Sequence, residues 1–162
     1  MKQKNTNSVI KMMPLFLLTI LGSCKEQVEI SQNLTVKTFN YPVLKEKNDN
    51  PILRIQMDSE KEGETVKAIQ LNMGNTKPEN LKNIRVYYTE RDSLFNEKVL
   101  YGASATIQKS SLINGNQNLQ KGTNYFWVSY ELADNVDLTD KVYANLDYVT
   151  IGEKKLGVSN NK

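Results

Sequence analysis

The sequence predicts an all-β fold, an antiparallel β-sandwich of the jelly-roll-like or immunoglobulin-like kind. Three observations predict it. Apolar and polar residues alternate with period two in stretch after stretch between positions 50 and 152, the signature of strands with one buried face. Turn formers punctuate those stretches: Asn48-Asp49-Asn50-Pro51, Glu62-Gly63, Gly74-Asn75, Asn114-Gly115-Asn116, Lys121-Gly122 and Asp134-Asn135. No long amphipathic helical stretch competes with the strands, and no internal repeat is present.

In chain order, "NPILRIQMDS" sets Leu53, Ile55 and Met57 against Ile52, Arg54 and Gln56. "TVKAIQLNMG" sets Ile69, Leu71 and Met73 against Ala68, Gln70 and Asn72. "KPENLKN", 77–83, reads as one short helical turn. "NIRVYYTE" then sets Ile84, Val86 and Tyr88 against Arg85, Tyr87 and Thr89. "VLYGASATIQ" is β-rich but less regular. "TNYFWVSYEL" places Phe126, Val128, Tyr130 and Leu132 on one face and Tyr125, Trp127, Ser129 and Glu131 on the other. In "VYANLDYVTIG" the phase shifts from Val142, Ala144 and Leu146 to Val149 and Ile151. Such a shift predicts a bulge or a barrel-like corner near Asp147-Tyr148.

The N-terminus reads differently. Lys2, Lys4 and Lys11, with no acid among them, precede the apolar run Met12–Leu21, the layout of a secretory signal. The run is too short for a membrane span, which needs roughly 20 apolar residues. Leu21-Gly22-Ser23-Cys24 resembles a bacterial lipobox, which implies that the single cysteine becomes the new N-terminus and carries lipid. The alternative is an ordinary cleaved signal with a chance cysteine. Several acyl chains make attachment effectively permanent, at about 0.8 kcal/mol per buried methylene. Lys25-Glu26 resembles the charged export signal of some Bacteroidetes lipoproteins, implying an outer-membrane and surface-exposed location.

Removing residues 1–23 takes away three lysines, so 21 basic residues become 18 against 18 acidic ones. A net charge of zero leaves no electrostatic footprint for nucleic acid. With Cys24 acylated no thiol remains for a disulfide, and the exported domain is held by its core alone. The organisation is therefore a signal, 1–23; a polar tether, 24–35; a sandwich, 36–156; and a tail, 157–162. Asn33-Leu34-Thr35 matches a glycosylation sequon, read as chance in a bacterial chain.

From Val36 to Ile151 the chain resembles the N-terminal domain of bacterial exo-α-sialidases that carry neuraminidase repeats. The residues that carry the resemblance are "NPILRIQM", "IRVYYTERDSLF" and, most specifically, "GNQNLQKGTNYFWVSYELADNVDLTDKVYANLDYVTIG". In that family this β-sandwich precedes a catalytic β-propeller and is regarded as an accessory, sugar-contacting domain. After Gly152 the chain reads "EKKLGVSNNK", where a sialidase would continue into an Arg-Ile-Pro motif and Ser-x-Asp-x-Gly-x-Thr-Trp boxes; neither occurs. The resemblance thus implies the accessory domain without the enzyme.

Catalytic options are narrow. With no histidine in the chain, imidazole bases, His metal sites and Ser-His-Asp triads are excluded. No phosphate-binding glycine loop is present. Arg54, Arg85 and Arg91 read as surface residues, with Arg54 and Arg85 facing solvent, and not as a carboxylate-gripping cluster. Glu60/Glu62 and Glu90/Asp92 read as loop acids, with nothing to set two carboxylates across a sugar. Asp134, Asp137 and Asp140 supply oxygen ligands of the type calcium takes, but the spacing of three without a central glycine favours an Asx-rich turn. No metal, cofactor or catalytic residue is assigned.

Tyr125 and Trp127 are the candidate ligand-binding residues. Exposed, they would stack on the apolar face of a sugar ring. On a central strand covered on both sides, they would supply packing. Tyr87 and Tyr143 lie on similarly ambiguous faces. The expected function is a membrane-anchored, non-catalytic module that binds a glycan or a protein, with a glycan or glycoprotein as the expected partner. The alternatives are a structural spacer or a truncated sialidase remnant, and formally a self-contained enzyme.

Overall fold

The computed structural model describes residues 27–158 apart from Tyr41 and Leu138. The basic and apolar segments of the signal, Cys24, Lys25-Glu26 and residues 159–162 of the tail lie outside the described residues.

Ten strands follow one another: β1 (Val28–Ser31), β2 (Leu34–Thr38), β3 (Asn50–Ser59), β4 (Thr65–Asn72), β5 (Leu81–Tyr88), β6 (Val99–Ser104), β7 (Ser110–Asn118), β8 (Gly122–Leu132), β9 (Asn145–Ile151) and β10 (Lys154–Val158). A 3-10 turn, Pro78–Asn80, stands where the short helical turn was expected. One sheet has the order β1-β10-β9-β4-β7 and the other β2-β3-β8-β5-β6. All pairings are antiparallel except β1 with β10.

The period-two residues meet between the sheets. Leu53, Ile55 and Met57 from β3, Ile69 and Leu71 from β4, Ile84 and Val86 from β5, and Phe126, Val128 and Tyr130 from β8 form one buried cluster. Each fully buried aliphatic or aromatic side chain of this kind contributes about 1.5–3 kcal/mol by leaving water.

Bulges tune the alternation. The phase shift expected near Asp147 is a register shift: Leu71 faces Leu146 and Gln70 faces Tyr148, so Asp147 is the extra residue. Ile52, expected on the face of Arg54, is instead buried with Leu53, because Pro51 faces Ser129 and Leu53 faces the adjacent Val128. The extra residue lets two successive side chains point inward.

Three expectations are corrected. Asn114-Gly115-Asn116 is not a turn; it lies within β7, where Val66 faces Gln117 and Ala68 faces Asn114. Gly115 and Asn116 together stand opposite Lys67, a bulge. Glycine is required there because a Cβ on Gly115 would come within 2.4 Å of the Tyr101 ring. The polar tether does not reach 35: Val28–Ser31 pairs with β10, and Leu34 opens β2 at 3% exposure. Nor does the tail begin at 157, since β10 continues to Val158.

Candidate functional site

The outer face of the second sheet carries the two residues singled out by sequence. Register places Lys37, Arg54, Trp127, Tyr87 and Leu100 in one row across β2, β3, β8, β5 and β6. Trp127 is only 5% exposed. Phe39, just past β2, stacks on its ring at 4.9 Å with 28° between planes. Phe95, from the β5–β6 loop, meets it edge-on at 5.9 Å and Tyr87 at 5.6 Å. The Arg54 guanidinium lies 5.9 Å from the Trp127 centroid and 5.1 Å from that of Tyr125. Arg54 also donates to the Ser93 carbonyl at 3.3 Å. Two loops therefore fold over this face. Trp127 is packed within it, while Tyr125 stays half-buried beneath Arg54.

Further along the face the side chains are ionic. Glu131 accepts from Arg85 at 2.6 Å and Asn83 at 2.7 Å, and pairs with Lys82 at 2.9 Å. Hydrogen bonds from Lys82 and Asn83, reinforced by Arg85, hold its carboxyl down at about 2. Arg85 also lies 3.6 Å from the buried Asp49 and donates to the Asn48 carbonyl at 2.8 Å. Burial, together with Asp49, pushes the Tyr87 hydroxyl up to about 12. The expectation that Arg54 and Arg85 face solvent is thus corrected: both are half-buried and partnered. Exposed Arg91 donates to the Lys121 carbonyl at 3.0 Å. The three arginines hold three separate partners and share no target.

A groove of about 710 Å³ opens at the end of the sandwich, between the segment after β2 and the β8–β9 loop. Ile52, Leu132, Val136 and Val142 line it, with Phe39 and Tyr143 as aromatic walls and Asn40, Asp137, Asp140 and Lys141 as polar ones. Hydrogen bonding fixes its shape. The Tyr143 N–H donates to Thr76 Oγ1 at 2.5 Å, and the Tyr143 carbonyl accepts from Thr76 at 3.1 Å and from the Tyr130 hydroxyl at 3.0 Å. Asp140 accepts from Lys77 at 2.8 Å and from Asn80 at 2.9 Å. Asp137 accepts the Thr139 backbone N–H at 2.9 Å, an Asx turn as expected. On the facing wall the Phe39 N–H donates to the Ile52 carbonyl at 2.9 Å, and beyond the groove Asn50 takes the Leu44 N–H at 2.8 Å and donates to the Leu44, Lys47 and Tyr130 carbonyls. Sequence reasoning had noted Tyr143 and the aspartates separately. It missed the groove, because the two wall segments lie about a hundred residues apart along the chain. Among the described residues no group of three acidic, His or Cys side chains is placed to hold a metal ion.

A two-sheet sandwich whose polar groups pack and brace rather than converge, with a groove at one end, defines a β-sandwich module. Comparison with known proteins gives the family. Residues 31–155 match the model of the N-terminal domain of BNR-repeat neuraminidase, and the chain belongs to that family. It is similar to a sialidase of Bacteroides fragilis (strain YCH46), 26% identical over 155 residues, covering 79% of this chain and 28% of the relative. The solved structure of Hadza microbial sialidase Hz136 shares the fold, with a TM-score of 0.69 at 18% identity over 76% of this chain and 29% of that one. The chain thus spans under a third of the length of either relative, and it corresponds to the N-terminal accessory part of sialidases, not to their catalytic propeller.

Proposed function

We propose that the chain is a non-catalytic glycan-binding module, tethered to the outer membrane through lipid on Cys24. The observation that carries the binding reading is a preformed groove in a domain of the sialidase accessory family. Hydrogen bonds brace both groove walls before any ligand arrives, so little ordering is left to oppose binding. The anchor reading rests on the basic segment, the short apolar run and the single cysteine of Leu21-Gly22-Ser23-Cys24.

Two experiments test this. A glycan array probed with the soluble chain from Lys25 onward, which keeps all ten strands, should show specific saccharide binding; a blank array would overturn the binding function. Labelling of growing cells with a tagged fatty acid should mark the full chain and not Cys24→Ser. A second reading, a spacer, is favoured by one observation, the engagement of Trp127 by Phe39 and Phe95. It predicts the blank array.

A further inference from the structure

We infer, on the reading that Cys24 is lipidated, that the outer face of the first sheet lies against the lipid surface, from Val28 and Ile30 on β1 to Leu112 on β7.

Little chain separates the anchor from the fold. Sequence gives the tether residues 24–35, but β1 begins at Val28, so only Lys25, Glu26 and Gln27 lie between it and Cys24. Four extended steps of a chain span at most about 14 Å. A lipid on Cys24 therefore holds the β1 edge of the first sheet beside the headgroups, and the domain does not stand clear of the bilayer.

That edge presents apolar side chains. Leu156 and Val158 of β10 pack on the core, so Lys155 and Gly157 face outward. β1 sets Val28 beside Lys155 and Ile30 beside Gly157. A Cβ on Gly157 would meet Val28 and Ile30 methyls at 3.0 and 3.5 Å, which puts both side chains on the outer face. Ile30 is 65% exposed. The next row of this face runs from Tyr148 through Gln70 to Leu112, and Leu112 is exposed as well. The Lys155 ammonium lies 4.8 Å from the Tyr148 centroid. Exposed aliphatic side chains around a tyrosine and a lysine suit a lipid interface. The aliphatic groups enter the acyl boundary, the tyrosine ring sits at headgroup level and the lysine stem reaches back to water.

Charge adds little. Lys154 pairs with Glu29 at 3.5 Å, and Lys155 stands against Asp147 and Glu153. The charges at this edge nearly cancel, so the contact is apolar and has no preference for anionic lipid. A few aliphatic side chains hold a free protein only weakly on a bilayer. An anchor this close keeps them at an effective concentration of about a millimolar or more, enough for the same contact to fix orientation. The exposed Leu100 lies on the opposite side of the sandwich, in the row of Tyr87 and Trp127, and serves as the control.

The test uses the chain lipidated at Cys24 by a bacterial host and placed in phosphatidylcholine vesicles. The Cys24 sulfur is then a thioether, so Leu112→Cys or Leu100→Cys supplies the one thiol for a fluorescent label. Leu112 lies four strands from β1, so tethering alone does not bring it to lipid. Nitroxide-bearing lipid should quench the label at 112 and not the label at 100. Ile30→Asp should abolish quenching at 112, and Ile30→Thr, which keeps the β-branched shape a strand favours, should reduce it. Neither should change the melting temperature or flotation with the vesicles. Equal quenching at both positions, or quenching at 100 alone, would overturn the assigned face and leave the anchor standing. Energy transfer between labels on different copies, without lipid quenching, would overturn it in favour of a second copy on this face. Quenching that appears only with phosphatidylglycerol would overturn the apolar contact. A chain that fails to float with the vesicles would overturn anchor and docking together.

Discussion

Phe39 and Trp127 lie ring on ring, 4.9 Å between centroids, and the contact ties the chain leaving β2 to the middle of β8. It makes the outer face of the second sheet a second packed layer, closed on its other side by Phe95. Polar atoms are enclosed with it: the Trp127 indole nitrogen, Arg54 Nε and Ser129 Oγ are buried without a hydrogen-bond partner. Each costs roughly 1–3 kcal/mol unless water reaches it. The aromatic packing offsets that cost.

Trp127→Ala should therefore destabilise the fold by about 3–5 kcal/mol, in line with other buried tryptophans. Phe39→Ala should cost less, about 1–2 kcal/mol, because half-buried rings leave less surface to re-expose. Chemical denaturation followed by circular dichroism measures both. Trp127 is the sole tryptophan, so its emission should move to longer wavelength when wild type unfolds. An unchanged midpoint for Trp127→Ala would mean that the face is not packed in solution.

Glu131 makes stability depend on acid. Its folded carboxyl sits at about 2, against an ordinary value of 4.5. A lowered folded value means that stabilisation is complete above the unfolded value and is lost as pH falls through the folded one. The melting temperature should thus fall as pH drops from 4.5 towards 2. Glu131→Gln should flatten that fall and cost about 1–3 kcal/mol at neutral pH, because Arg85 and Lys82 lose their anion. A variant with the wild-type pH profile would remove Glu131 from the account.

The core was legible in sequence wherever a strand alternates strongly. Phe126, Val128 and Tyr130 point inward as their spacing predicts, and the phase slip at Asp147 is a bulge. Strands β1, β2, β7 and β10 were not legible. They bury few side chains: β1 none fully, β2 only Leu34, β7 only Ser111 and Ile113. Period two is a record of burial; the edge strands β1, β2 and β7 have little to record, and β10, although internal, is five residues long with only Gly157 buried. The site was less legible still. Tyr143 and Asn40 become neighbours only through the pairing of distant segments, and Arg85 meets Glu131 only through the register of β5 with β8.

The two sheets approach each other closely where β6 meets β7. A Cβ on Gly102 would lie 2.3 Å from the Asn114 carbonyl oxygen and 2.9 Å from an Ile113 methyl. Backbone cannot yield as a flexible side chain does, so Gly102→Ala should cost about 1–3 kcal/mol by overpacking. Gly63→Ala is the control: open space surrounds its added methyl, although its φ of +81° carries a conformational strain of its own. That strain is of order 1 kcal/mol. Melting curves that rank Gly63→Ala as the costlier change would contradict this close approach.

The start of the domain can be tested by truncation. A chain beginning at Val36, where sequence places the end of the tether, lacks β1 and the first residues of β2. It loses the pairing of Val28–Ser31 with β10 and the contact of buried Leu34, which faces Met57 across the ladder. Burial of Leu34 alone is worth about 2–5 kcal/mol by comparison with leucine-to-alanine changes in other cores. Loss of Leu34 and Thr35 also bares the Gln56–Met57 end of β3, whose unpaired N–H and C=O groups invite pairing with another chain. The truncated chain should unfold at lower denaturant than one beginning at Lys25 and should self-associate. Leu34→Ala in the longer chain separates the two causes, since it deletes the core contact and keeps the strand. If the chain from Val36 matched the longer one in both stability and monomeric state, the first two strands would be ornaments on a sandwich that closes without them.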